Sequence, residues 1–335
     1  MIIVLKKNDF TSVDLYLCFM KKNLLLLTFF NVFWIFSQQK FSKEISFIND
    51  NDLYVSVVRD RYYTNGMFLN YRYLSETKKE FVEKKIFQWQ IGHKMYTPNR
   101  PNVTSIDEHD RPFAGYLYGN FGITNVYKTN KILTTSIDIG VIGENAFSKE
   151  IQDFIHKLYG FKLGTGWEYQ IKNAFGINFR AEYISYIGKD SSGMYDVSWV
   201  NTVNFGTVFT DISTGLYSRI GLKPLQKLAN SIAFKTNLNN ENTNDVREIE
   251  SFLVIKPTVS YAFYDATIQG SFLNAGSLVT KELIPMVFNL EIGIKFTANR
   301  FHFGYIFNYN TSQSEDLRYT YGNKFGTIAI HYLLH

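Results

Sequence analysis

The feature that most limits what this chain can fold into is a strict two-residue alternation, kept up over segments too long for an ordinary strand. Phe288, Leu290, Ile292, Ile294 and Phe296 alternate with Asn289, Glu291, Gly293, Lys295 and Thr297. The next segment sets Phe301, Phe303, Tyr305, Phe307 and Tyr309 against His302, Gly304, Asn308 and Asn310. Ile137, Ile139 and Val141, and Val197, Trp199, Val203 and Phe205, follow the same rule. Successive side chains of a strand point to opposite faces, so each segment has one apolar and one polar face. Strands of soluble sandwiches run to about five or six residues. These run to roughly ten to fourteen, the length a tilted strand needs to cross a bilayer.

The connections support the same reading. Short links (Thr129-Asn130, Asn173 to Phe175, Ala298 to Arg300) are interleaved with long ones (98–113, 145–163, 223–250, 312–321). That is the asymmetry of periplasmic turns and extracellular loops. The segments number up to fourteen, 164–173 and 266–275 among them, and twelve is equally compatible with the pattern. The expected fold is all-β: a transmembrane antiparallel β-barrel with a short helix in an extracellular loop. Trp89, Tyr96, Tyr116, Tyr118, Trp167, Trp199 and Tyr332 lie near segment ends, as aromatic girdles require.

Composition agrees. Aromatic residues make up 17%, with 23 Tyr and 30 Phe against 6 Pro, which favours strands. The formal charge of +5 is spread along the chain, so nucleic-acid binding has no electrostatic footprint. Lys21 and Lys22 before the apolar run Leu24 to Phe36 read as a secretory leader, with Met20 as an alternative start. The expected division is a leader over 1–38 and a barrel over 39–335. The only cysteine, Cys18, lies in that leader, so the exported part has neither disulfide nor thiol nucleophile.

Ser148 to Gln170 stands apart as a short amphipathic helix and its exit. Ser148 is a natural N-cap, Glu150 suits the first turn, and Gly160 suits a left-handed C-terminal cap. Ile151, Ile155, Leu158 and Tyr159 form an apolar stripe, and Gln152 and His156, four apart, share the neighbouring polar face. A neutral imidazole there can act as a general base toward water; a merely solvated histidine on a lid is the plainer alternative. Asn49 and Asp50 close the first strand and Thr64 opens the second, with Thr64 on the face of Gly66, Asn70 and Arg72 by parity. Amide, carboxylate and hydroxyl oxygens are the hard ligands Ca2+ takes, while NDND is also an ordinary turn composition and Asn65-Gly66 a hairpin signal.

The ordered series NDND, YYTNG, MYTP, DRPFAGYLY, IQDFIH, GW-YQ and YDATIQGSF resembles the outer-membrane lipid A 3′-O-deacylase family. The resemblance covers the whole exported chain and implies twelve strands. It also implies a Ca2+-dependent esterase in the bacterial outer membrane whose substrate is lipid A of lipopolysaccharide, here expected to act as a monomer. In that family's pattern Asn49, Asp50 and Thr64 take the metal side of the site, and His156 activates water. Arg111 is a cation for the substrate's phosphate or for orientation, or else the ion-pair partner of Asp110, and Gln152 is a further site residue. The chain departs from the pattern at Ala174, where many relatives have Glu. The alternatives are a porin or structural barrel without catalysis, and a phospholipase A, whose His-x-Ser-Asn-Gly motif is not matched by Tyr-Thr-Asn-Gly.

Overall fold

The computed structural model describes residues 40–55, 61–76, 79–100, 102–247 and 249–335. The leader read at 1–38, with Cys18 and Met20, lies outside the described residues. Twelve strands form a closed antiparallel barrel. They are β1 (Lys43–Asn51), β2 (Tyr62–Ser75), β3 (Val82–Thr97), β4 (Ala114–Tyr127), β5 (Lys131–Ile142), β6 (Ala174–Lys189), β7 (Tyr195–Gly206), β8 (Phe209–Gly221), β9 (Ser251–Asp265), β10 (Met286–Ala298), β11 (Phe301–Asn310) and β12 (Asn323–Leu334). Among the described residues two helices, α1 (Ser148–Tyr159) and α2 (Ala266–Gln269), interrupt the strand order. Each strand pairs with its sequence neighbours, and β1 closes on β12 in a register from Lys43↔Leu334 to Asn51↔Gly326.

Two of the fourteen expected segments are therefore not strands. In 164–173, Gly166 takes a left-handed φ of 101°, and Trp167–Tyr169 form a 3-10 turn, so the extended run is broken. The expected turn at Asn173 to Phe175 is instead the start of β6. In 266–275, the Asp265 carboxylate accepts the Thr267 N–H at 2.8 Å and nucleates α2, which Gly270 ends at φ 80°. Each lost strand reverses the direction of those that follow. The long loop 222–250 consequently emerges at the end that carries both chain termini, not with the other long loops. Short turns gather at that end (128–130, 190–194, 299–300), which identifies it as periplasmic, and the loops 98–113, 143–173, 266–285 and 311–322 gather at the extracellular end.

The alternation sorts side chains as expected. Phe47, Trp89, Ile91, Phe179, Trp199, Phe205, Ile294 and Phe301 face outward and are exposed, as a lipid-facing wall requires. Glu44, Arg72, Lys84, Asn178, Asp196, Arg219 and His302 face inward and are buried. The aromatic girdle is narrower than the sequence suggested. Tyr96, Tyr116 and Tyr118 point into the barrel mouth, where they pack with Ala114, Ile142, Ile171, Val208 and Ala266.

The loop 222–250 fills the periplasmic end. Its Leu228, Ala229, Ala233 and Phe234 pack against inward-facing Val126, Ile132, Ile184, Val200, Tyr217 and Phe252. Arg219 of β8 clamps it. Its guanidinium donates to Asp196 Oδ1 (2.9 Å), Ser231 Oγ (2.6 Å), Glu250 Oε1 (3.0 Å) and the Gln226 carbonyl (2.9 Å). Lys84 Nζ donates to the Ala229 and Thr236 carbonyls at 2.7 and 3.1 Å. The periplasmic end of a charge-lined lumen is thus closed by the chain's own loop, and a cavity of about 260 Å³ lined by Glu44, Asp50, Arg72, Glu291 and Lys295 remains inside.

Candidate active site

The helix α1 forms where the sequence places it, but its cap and its buried face differ from expectation. Phe147, at φ 58°, is the N-cap residue, and Ser148 is the first helical residue. The Ser148 hydroxyl is drawn away from capping because His93 Nε2 lies 2.9 Å from it; the same nitrogen donates to the Ala146 carbonyl at 3.1 Å. Gly160 takes the expected left-handed cap at φ 72°. The buried residues of the helix are Ser148, Gln152 and His156, whereas Phe154, Leu158 and Tyr159 are exposed. The helix is buried by its polar side.

That polar side lies on the outer surface of the barrel. His93, Met95 and Thr97 continue the outward-facing row of Trp89 and Ile91 on β3, and Met95 pairs with Gly115 of β4. A Cβ on Gly115 would collide with Ser148 Oγ and lie 2.9 Å from its Cβ, so this glycine lets the helix touch the wall. At its other end, Tyr159 bears electrostatically on Tyr54, just beyond β1, whose hydroxyl is pushed above its usual pKa mainly by burial and further by Tyr159 and Asp50. The helix thus starts on β4, and its last turn comes within electrostatic reach of the end of β1. At about 1.5 Å per residue, His156 is about 12 Å along from Ser148.

His156 Nδ1 donates to the Lys162 carbonyl at 2.6 Å, so in the neutral ring the lone pair belongs to Nε2. Phe161 stands edge-on to the ring at 5.8 Å. One turn earlier, Trp167 Nε1 donates to Gln152 Oε1 at 2.8 Å. The indole packs with Met95, Phe113 and Ile151. Trp167 is thus part of the site's frame, a role the sequence hid because a tryptophan near a predicted strand end reads as a girdle residue.

The three expected metal-side residues do not converge. Asn49 faces outward and Asp50 inward, as adjacent strand residues must. Asn49 Oδ1 accepts from Tyr54 Oη at 2.6 Å, and its amide donates to the Gly66 carbonyl at 2.8 Å. Asp50 holds the hydroxyls of Tyr63 (2.8 Å) and Thr327 (2.7 Å) inside the barrel. A β-bulge between Tyr63 and Asn65 overturns the parity expected for Thr64. Its hydroxyl meets that of Thr97 at 2.7 Å, opposite in face to inward-pointing Tyr96. Asn65-Gly66 lies inside β2 and is not a hairpin turn.

On the outward side of β1, β2 and β3, Asn49, Thr64, Thr97 and Asn65 offer neutral oxygens, Asn65 Oδ1 being buried without a hydrogen-bond partner, and the buried carboxylate of Asp52 follows β1 and accepts the Arg61 N–H at 2.6 Å. Calcium sites draw on carboxylates, and the Asp50 carboxylate is on the far side of the sheet. Asn49, Asp50 and Thr64 as a set do not fit one cation. Among the described residues no group of three or more His, Cys, Asp or Glu side chains could hold one.

Arg111 also lies apart from His156. Its guanidinium stacks 4.4 Å over Tyr96 in the barrel mouth and donates to Thr267 Oγ1 (2.9 Å), which in turn donates to Asp265 (2.6 Å). Asp110, its expected partner, accepts instead from Tyr62 Oη and the Asn99 N–H. Arg111 is buried in that setting, with its hydrogen bonds spent inside the barrel mouth. Ala174 opens β6 on the inward side, packed with the mouth cluster.

A family model described as outer membrane protein LpxR matches residues 24–334. Among solved structures, LpxR from Salmonella typhimurium is similar over 87% of this chain and 100% of that one, at 18% identity and a TM-score of 0.67. At that identity the likeness shows a shared fold. The β domain of the Bordetella autotransporter BrkA matches over 88% of this chain and 99% of its own, at 7% identity and a TM-score of 0.47. No curated protein matches the sequence.

Proposed function

The chain belongs to the LpxR family of outer-membrane lipid A deacylases, and on that premise we propose that it removes a 3′-O-linked acyl chain from lipid A by His156-assisted attack of water. The observation that carries this reading is the burial of Gln152 and His156 on the flank of α1 whose Ser148 meets the outside of the barrel wall, where a lipid of the outer leaflet can arrive. With Nδ1 engaged by Lys162, Nε2 takes the proton from water as its oxygen adds to the ester carbonyl. The tetrahedral intermediate then collapses, the imidazolium returns the proton to the departing sugar oxygen, and the products are a fatty acid and a free hydroxyl. No serine nucleophile is needed. The hydroxyls of Thr64 and Thr97 and the amides of Asn49 and Asn65 are among the polar groups on the outward side of the wall. Because Asn49, Asp50 and Thr64 do not converge, no step is assigned to a cation.

The porin alternative finds no support in a lumen stoppered by 222–250 and capped by an aromatic mouth. Mass spectrometry of lipid A from cells expressing wild-type or His156→Ala protein, with Ca2+ present or chelated, tests the proposal. Loss of an acyl group with wild type alone is the expected result. Identical spectra from wild type and variant would overturn it. Loss of activity on chelation would establish a cation role that the present arrangement of residues does not supply.

A further inference from the structure

The side chains of α1 fall into three flanks. At about 100° per residue, Ser148, Gln152 and His156 form the buried flank against the wall. Lys149, Glu150, Asp153 and Lys157 form a second, polar flank, tied by a Lys149–Asp153 ion pair at 2.6 Å. Ile151, Phe154, Ile155 and Leu158 form a third, entirely apolar flank. Phe154 is 69% exposed and Leu158 68%, more than Ile91 at 62% on the lipid-facing wall below. The chain leaving the helix adds exposed Phe161 and Leu163, with Phe161 stacked on Tyr159 at 6.0 Å.

The direction each flank faces follows from handedness. The backbone bonds from Leu74 to Ser42 and from Gly143 to Gly115 fix which neighbour lies on which side of each strand. Viewed from outside with the extracellular loops uppermost, the strands run from β1 on the right to β4 on the left. A right-handed helix crossing from β4 to β1 then turns its polar flank up, toward water, and its apolar flank down, toward the band that includes Trp89 and Ile91. An exposed apolar helix face continuous with a lipid-facing wall has one natural occupant.

We infer that the apolar flank of α1, with Phe154 and Leu158 at its centre and Phe161 and Leu163 extending it, is immersed among the acyl chains of the outer leaflet. The bilayer then serves as the third support of the helix, beside the wall and the extracellular solvent. This rests on membership of an outer-membrane family and is independent of whether the protein hydrolyses lipid A. It also accounts for an amphipathic helix that buries its polar side: the apolar side is satisfied by lipid.

Spin labels read the contact directly. Cys18 is the only cysteine in the chain, so in a Cys18→Ser background single labels can be placed by Phe154→Cys, Leu158→Cys, Glu150→Cys and Lys157→Cys, with Ile91→Cys as the lipid-facing reference. In proteoliposomes, labels at 154 and 158 should match 91, being reached by dissolved oxygen and shielded from a water-soluble nickel chelate. Labels at 150 and 157 should show the reverse. Equal nickel access at 154, 158 and 157 would overturn the inference. So would dipolar broadening between labels at 154 on separate molecules, which would assign the flank to a second copy of the chain. All substituted positions on α1 are exposed, so each variant retains the folded barrel, and neither outcome depends on activity.

Discussion

The indole N–H of Trp167 is hydrogen-bonded to Gln152 Oε1 at 2.8 Å, one helical turn before His156. This bond ties the segment that leaves α1 back to the helix's own buried flank. Trp167→Phe keeps the ring packed on Phe113 but removes the donor, at a cost of about 1–3 kcal/mol. If that loss falls on the reactive arrangement, hydrolysis drops about ten- to a hundred-fold. The check is lipid A deacylation in reconstituted protein, alongside the heat-modifiable gel shift of the barrel, which should be unchanged.

Gly115 is the point at which helix and wall touch. Gly115→Val puts a branched side chain where Ser148 lies, and the helix must lift. The expected outcome is a correctly inserted barrel whose deacylation is nearly abolished, with faster protease cleavage within 147–165 than in wild type. A variant with wild-type activity would show that α1 need not contact β4.

The split of Asn49 from Asp50 separates two substitutions that sequence reasoning treats alike. Asn49→Ala acts on the outer face and should lower deacylation about ten-fold through one lost polar contact. Asp50→Asn keeps an acceptor for Tyr63 and Thr327 inside the barrel and should retain most of the activity. Initial rates on purified lipid A compare them, and equal losses would place Asp50 in the reaction.

Arg219 is buried with both Asp196 and Glu250. Arg219→Met leaves two carboxylates without their cation, and breaking such a pair costs about 3–5 kcal/mol. Unfolding followed by the gel shift in urea should occur at a clearly lower midpoint. Any effect on deacylation should be small until the barrel itself begins to open, because the clamp lies at the end of the barrel remote from His156.

The obstructed ends of the lumen make their own prediction. Purified wild-type protein in planar bilayers should give no porin-like current steps, since 222–250 occupies one end and the Tyr96–Tyr116–Tyr118 cluster narrows the other. Steady channel currents would contradict that arrangement.

The barrel was legible in the sequence because alternation depends only on neighbours two residues apart, which a single chain displays directly. Strand count was less so. The run 164–173 looks extended until Gly166 takes a positive φ, and 266–275 looks extended until Asp265 caps a helical turn. Both depend on local backbone geometry that composition does not encode. The orientation of 222–250 followed from the first of these segments and was lost with it. In the site, the joint burial of Gln152 and His156 was foreshadowed by their i, i+4 spacing. The face of Thr64 was not, because one bulged residue reverses parity. Trp167 and Gly115 act through contacts between elements far apart in the chain.

On the proposed function, a catalytic groove on the outside of a barrel beside a helix resting in lipid sets its own kinetic terms. Substrate reaches it by sliding within the leaflet, so the quantity that governs rate is the number of lipid A molecules per unit of membrane area, not per litre of medium. Diluting the membranes in buffer should leave turnover unchanged, whereas diluting lipid A among inert lipids should slow it in proportion.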